Sequence, residues 1–129
     1  MDEPSLYDQV GGTPFFERLV QRFYEGVAED EVLRPLYPER DLSGARRRLT
    51  LFLVQYWGGP TTYLQERGHP RLRSRHFPFP IGSRERDRWL LNMQAAIDAS
   101  DAPEEARARL HQYITVAAEA MVNLEENAP

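Results

Sequence analysis

Apolar side chains return every third or fourth position through four long segments, the spacing that lines one face of an α-helix. Phe16, Leu19, Val20, Phe23 and Val27 form the first face, with Tyr24 on its flank. Ala45, Leu49, Phe52, Leu53 and Tyr56 form the second, in a helix expected over residues 43–57. Trp89, Leu90, Met93 and Ile97 form the third, over residues 83–99. Leu110, Tyr113, Ile114, Ala117, Met121 and Leu124 form the fourth, over residues 104–124. No segment sustains the period of two that marks a strand, so the pattern predicts an all-α chain.

Glycine and proline divide these segments. Gly11-Gly12 ends a short helix expected over residues 5–10. Thr13 then reads as an N-cap with Pro14 at the first helical position, opening a helix that runs to Ala28. Asp30 is placed to cap a short turn through Val32, Leu33, Leu36 and Tyr37, bounded by Pro35 and Pro38. Gly58-Gly59-Pro60 is a strong stop. A short helix over residues 61–67 ends at Gly68, and Pro70 opens a turn that Pro78 closes. With no repeat, linker or low-complexity tract, the chain reads as one domain, residues 1–129, with frayed ends at 1–4 and 125–129.

Composition narrows the chemistry. There is no cysteine, which removes disulfides, thiolate metal sites and a cysteine nucleophile. The acidic start Met-Asp-Glu-Pro is not a signal peptide, and no apolar run is long enough to span a membrane, so a cytoplasmic location is expected. The net charge of −4 hides an asymmetry: residues 40–88 hold 11 arginines against 4 acids. That basic middle would draw an anionic ligand or partner. All 16 basic residues are arginine, which pairs with carboxylates and phosphates through a fork.

The stretch Arg71-Leu72-Arg73-Ser74-Arg75-His76-Phe77-Pro78-Phe79-Pro80 carries the sharpest candidate. His76 lies four residues after Leu72, so the two share one side of a helical turn. A neutral imidazole with apolar surface beyond it and cations beside it suits haem: one imidazole for iron, apolar walls for the ring, arginines for the propionates. On these ten residues alone, a part-buried core histidine is the favoured reading. By themselves Tyr24, Tyr37 and Trp89 read first as packed core aromatics. No carboxylate or histidine stands one helical turn from His76, so nothing suggests zinc. Arg46, Arg47 and Arg48 read as a solvated face or rim.

Placed in order, Tyr24, Tyr37, the run Gln55-Tyr56-Trp57-Gly58-Gly59-Pro60, His76 and Trp89 make a set that resembles the truncated haemoglobins. The likeness is to group II, the O-type proteins of actinobacteria, and it spans residues 7–123. It implies a two-on-two helical sandwich around haem b, iron protoporphyrin IX. His76 matches the iron-ligating histidine. Tyr24, Tyr37 and Trp89 match residues that donate hydrogen bonds to the ligand. Ala45 matches the distal position and Leu49 the apolar residue one turn on. Arg48 and Arg75 match positions that pair with propionates. Phe52, Leu72, Phe77, Ile81 and Met93 complete the expected haem contacts.

The resemblance implies reversible binding of dioxygen, carbon monoxide and nitric oxide, with three donors slowing oxygen release. An enzymatic alternative is peroxidase-like turnover of peroxide, or nitric oxide dioxygenation, fed by an unidentified reductase. Monomer and homodimer both remain open. A haem-free module binding nucleic acid through the arginines is disfavoured: few aromatics alternate with them and no helix-turn-helix signature is present.

Overall fold

The computed structural model describes residues 4–123. Among them are seven α-helices, one 3₁₀ turn and no strand. The helices are α1 Leu6–Gln9, α2 Thr13–Glu29, α3 Ser43–Tyr56, α4 Thr62–Arg67, α5 Leu72–His76, α6 Ser83–Asp98 and α7 Glu104–Met121. The 3₁₀ turn, Arg34–Leu36, lies between α2 and α3. Two long pairs, α2 with α3 and α6 with α7, pack together through a contact between α2 and α6, the expected two-on-two arrangement.

The apolar face of α2 is the centre of the core. Phe15, Phe16, Leu19, Val20, Phe23, Tyr24 and Val27 are all buried, and each such side chain contributes roughly 1.5–3 kcal/mol when removed from water. Met93, Ala96 and Ile97 of α6 and Ala106, Leu110 and Ile114 of α7 share one core cluster with them. The short α1 closes one end. Tyr7 donates its backbone N–H to Trp57 O at 3.0 Å, and its ring lies where a Cβ on Gly59 would stand 2.6 Å away. Gly58, at φ 107°, makes the reversal that allows this approach.

Three local expectations are corrected. Gly12, not Thr13, occupies the N-cap of α2; Thr13 is the first helical residue and its hydroxyl bonds to Tyr7 Oη at 2.8 Å. Tyr56 is 51% exposed instead of inward, because it ends α3 and stacks outward on Tyr113 with ring centroids 4.1 Å apart. Helix α7 stops at Met121, earlier than its apolar stripe suggests. Val122 is extended and Asn123 turns back to bond the segment around His76. Leu124 and the tail at 125–129 lie outside the described residues.

Candidate functional site

A cavity of about 610 Å³ opens between the helix pairs, within the range of roughly 300–1,000 Å³ typical of cofactor and ligand sites. Every long helix and α5 contribute to its wall. Helix α2 supplies Tyr24, the loop after the 3₁₀ turn supplies Tyr37, and α3 supplies Ala45, Arg48, Leu49 and Phe52. Leu72, Arg75 and His76 come from α5, Ile81 from the loop beyond it, and Trp89 and Met93 from α6. Twelve of the thirteen residues expected from sequence are thus brought together. Phe77 is not among them: it is 77% exposed, and Phe79 takes its place in the wall. The turn after Pro78 reverses which phenylalanine faces inward.

His76 is held in a defined chemical form. Its Nδ1 lies 2.7 Å from Leu72 O, and a carbonyl oxygen only accepts, so Nδ1 carries the proton. Of the two neutral tautomers this bond selects the one whose Nε2 has a lone pair, the form that binds metal. The spacing of four residues seen in the sequence is what makes this bond. Among the described residues no three histidine, cysteine or carboxylate side chains cluster to hold a bare ion. His76 can supply one ligand to a metal whose other ligands arrive with a cofactor.

The opposite wall carries hydroxyl and indole donors. Tyr24 and Tyr37 meet edge to face, with centroids 5.5 Å apart and planes at 81°. Burial first, and then the neighbouring Tyr37, pushes the Tyr24 hydroxyl far above the usual phenol range. Burial likewise raises Tyr37, with partial relief from Tyr24. Both therefore stay protonated and able to donate at any physiological pH. Phe23, fully buried, lies edge-on to both Tyr24 at 4.9 Å and Trp89 at 5.4 Å, so one side chain supports two donors. Ala45 adds no polar atom.

Tyr37 is delivered by a turn that Arg34 ties together. The guanidinium of Arg34 donates to the carbonyls of Tyr37, Glu39 and Arg40 at 2.8–2.9 Å. At the rim, Arg48 pairs with Glu39 at 3.4 Å, while Arg75 donates to Pro70 O and Arg67 O. Each guanidinium has further N–H groups than these bonds use, so both remain available to an anionic group.

Sequence reasoning did not reach every wall residue. Leu33, Tyr63, Phe79, Arg86 and Tyr113 also line the cavity. It also missed Asn123, whose side chain accepts from Ile81 N at 2.9 Å and donates to Phe79 O at 2.8 Å and His76 O at 3.3 Å. Asn123 lies 47 residues beyond His76, and no local pattern signals that pairing. A shallower groove of about 350 Å³, lined by Tyr56, Trp57, Arg109, Gln112, Tyr113 and Val116, lies outside this wall.

The family model for bacterial-like globins matches residues 5–123. The group 2 truncated hemoglobin YjbI of Bacillus subtilis is 42% identical over 115 residues, 89% of this chain and 86% of its own length. A thermostable hemoglobin from the actinobacterium Thermobifida fusca superposes with a TM-score of 0.93 at 58% identity, over 95% of this chain and all of that one. The group II truncated hemoglobin of Bacillus anthracis superposes with a TM-score of 0.92 at 34% identity, over 98% of each chain. With its fold and nearly its whole length accounted for in this way, the chain belongs to the bacterial-like globin family, among the group II truncated haemoglobins.

Proposed function

We propose that this chain holds haem b through His76 and binds dioxygen, carbon monoxide and nitric oxide reversibly, releasing oxygen slowly. One observation carries the reading: a histidine with Nδ1 committed to Leu72 O shares one apolar cavity with Tyr24, Tyr37 and Trp89. The residues fit the group. Nε2 of His76 offers the single protein ligand that haem iron needs. Leu49, Phe52, Leu72, Ile81 and Met93 offer apolar walls, and Arg48 and Arg75 offer cations at the rim. When bound, haem supplies the ferrous centre that takes up diatomic ligands.

The chain's own part is to bind, orient and exclude water. Phenol and indole donors in a dry pocket favour the guest whose far end gathers negative charge, which is dioxygen over carbon monoxide. Each such hydrogen bond is worth on the order of 1 kcal/mol or more, so losing one should speed release several-fold. This favours retention or reaction of oxygen over delivery.

Titrating the protein with haemin, then adding dithionite and carbon monoxide, tests the ligation. A Soret band that saturates at one haem per chain and shifts sharply with carbon monoxide is expected, with a disturbed spectrum in His76→Ala. Absence of stoichiometric uptake would overturn the reading. Oxygen dissociation rates of Tyr24→Phe and Trp89→Phe test the donors, and no change in either variant would remove the claim of slow release.

A further inference from the structure

Asp30 is the one buried charged residue among those described, 4% exposed. A buried carboxylate costs several kcal/mol unless its oxygens are paired, and packed apolar residues often serve stability as well or better. Its presence at the end of α2 calls for a reason beyond stability. The reason lies in what it joins.

Each carboxylate oxygen faces a different part of the distal wall. Oδ1 accepts from the backbone N–H of Val32 at 2.9 Å and of Leu33 at 3.1 Å, at the start of the loop that delivers Tyr37. Oδ2 accepts from Arg88 Nε at 2.9 Å and from Asn92 Nδ2 at 3.1 Å. Those two residues flank Trp89 on α6, one immediately before it and one almost a turn after. Asp30 itself is the C-cap of the helix that carries Tyr24. One carboxylate is thus bonded to the carriers of all three donors.

The same corner sets how closely α2 and α6 approach. A Cβ on Gly26 would stand 2.1 Å from Asn92 Oδ1, so the bare backbone of α2 at Gly26 leaves the room in which the Asn92 side chain of α6 sits. Asn92 also donates to Arg88 O at 2.9 Å, which braces the turn of α6 beneath Trp89. A shift of Asp30 would move Tyr37 and Trp89 relative to Tyr24. Hydrogen bonds weaken steeply with such misalignment.

We propose that Asp30 is a positioning residue for the distal site, its carboxylate setting the mutual register of Tyr24, Tyr37 and Trp89 through the Val32–Leu33 turn and the Arg88–Asn92 pair. The inference rests on the donor reading above, and its test separates the two.

The C–O stretching frequency of the carbonyl complex and the oxygen dissociation rate are compared for the native protein, Trp89→Phe, Tyr24→Phe, Asp30→Asn and Asn92→Ala. Fluorine NMR of the haem-free protein carrying 5-fluorotryptophan, with Trp57→Phe assigning the two signals, reports on Trp89 without haem. Asp30→Asn is expected to move the C–O band toward that of Trp89→Phe, shift the Trp89 fluorine signal and speed oxygen release several-fold, the equivalent of one lost hydrogen bond. Asn92→Ala should give a smaller change of the same kind. Leu110→Ala, which destabilises the core away from the cavity lining, should give none. A folded Asp30→Asn with native C–O band and fluorine shift overturns the proposal. If Asp30→Asn does not fold, native values in Asn92→Ala overturn it instead. An unmoved C–O band in both Trp89→Phe and Tyr24→Phe would sink the donor reading, and the fluorine signal would still decide the role of Asp30.

Discussion

Replacing Asp30 with asparagine also has a thermodynamic consequence whose size and pH dependence follow from the geometry. Asparagine keeps one oxygen, able to accept from Val32 and Leu33. Its amide then faces Arg88 Nε and Asn92 Nδ2, donor against donor. The variant loses two bonds to an ionised acceptor, from Arg88 and from Asn92, each worth roughly 1.5–3 kcal/mol. Two effects reduce that loss. The Arg88 side chain is 45% exposed, so water takes up part of its charge, and the neutral amide is less costly to bury than the carboxylate. A net cost of about 2 kcal/mol remains, which for a domain of this size lowers Tm by roughly 6–10 °C.

The pH dependence has a definite sign. Burial alone would raise the Asp30 carboxyl, but the Leu33 N–H, Arg88, the Val32 N–H and Asn92 together hold it below the usual carboxylate range. A depressed folded value means stability that is present above the unfolded pKa of about 3.9 and lost as pH falls through the folded value. The Tm gap between native protein and Asp30→Asn should therefore be constant near neutrality and close below about pH 4. Circular dichroism melts of both haem-loaded proteins at matched pH read this directly. A gap under about 2 °C at pH 7, less than 1 kcal/mol, would refute the hydrogen-bond reasoning. A gap that does not narrow in acid would refute the charge reasoning.

Three further outcomes follow from the site. Asn123→Ala removes three bonds to the segment from His76 to Ile81, and haem transfer to an acceptor globin should be several-fold faster, with the distal C–O band unchanged. Phe23→Ala should cost about 3–5 kcal/mol in denaturant unfolding and speed oxygen release, whereas Phe23→Leu should cost less than about 1.5 kcal/mol. Tyr24, Tyr37 and Tyr113 are all raised by burial, Tyr113 pushed up to about 12, so the neutral forms favour the fold. Stability should be full below about pH 10 and fall above it, and absorbance at 295 nm should show these phenols ionising only above the ordinary phenol range.

The long helices were legible because each buries one stripe against the core, and burial imposes the three-to-four spacing directly. The ends were less legible. Tyr56 continues the stripe of α3 by spacing, yet the helix stops there and the ring turns to Tyr113 instead. Met121 ends α7, and Asn123 just beyond it bonds to residues 76–81 instead of continuing the helix. In the site, His76, Tyr24, Tyr37 and Trp89 stood out because their order matched a family. Phe77 was misplaced because residue type alone does not tell which side of the Pro78 turn faces inward. Asp30 was read as a local cap, which it is, but its bonds to Arg88 and Asn92 span 58 and 62 positions. No local pattern encodes contacts at that separation.

The cavity itself sets a last constraint on how this chain is stable. Most of its lining is apolar, including Leu33, Leu36, Leu49, Phe52, Leu53, Met93 and Ile114. An empty rigid cavity costs about 24 cal/mol per Å³, so 610 Å³ would cost up to about 15 kcal/mol. That equals or exceeds the roughly 5–15 kcal/mol by which domains are stable at all. That cavity cost is the limit for a sealed void; this cavity opens to solvent at its arginine rim, so water takes up part of the space and an apolar occupant would recover part of the cost. A group that binds the folded state alone adds stability with the logarithm of its concentration over Kd, about 4 kcal/mol at a thousandfold excess. Extracting haem should lower Tm by more than 10 °C and broaden the melt, and re-addition of one equivalent should restore it. Coincident melts with and without haem would mean that α5 and the distal wall close on each other unaided, and that the cavity is not held open by the polar bonds at Asp30 and Asn123.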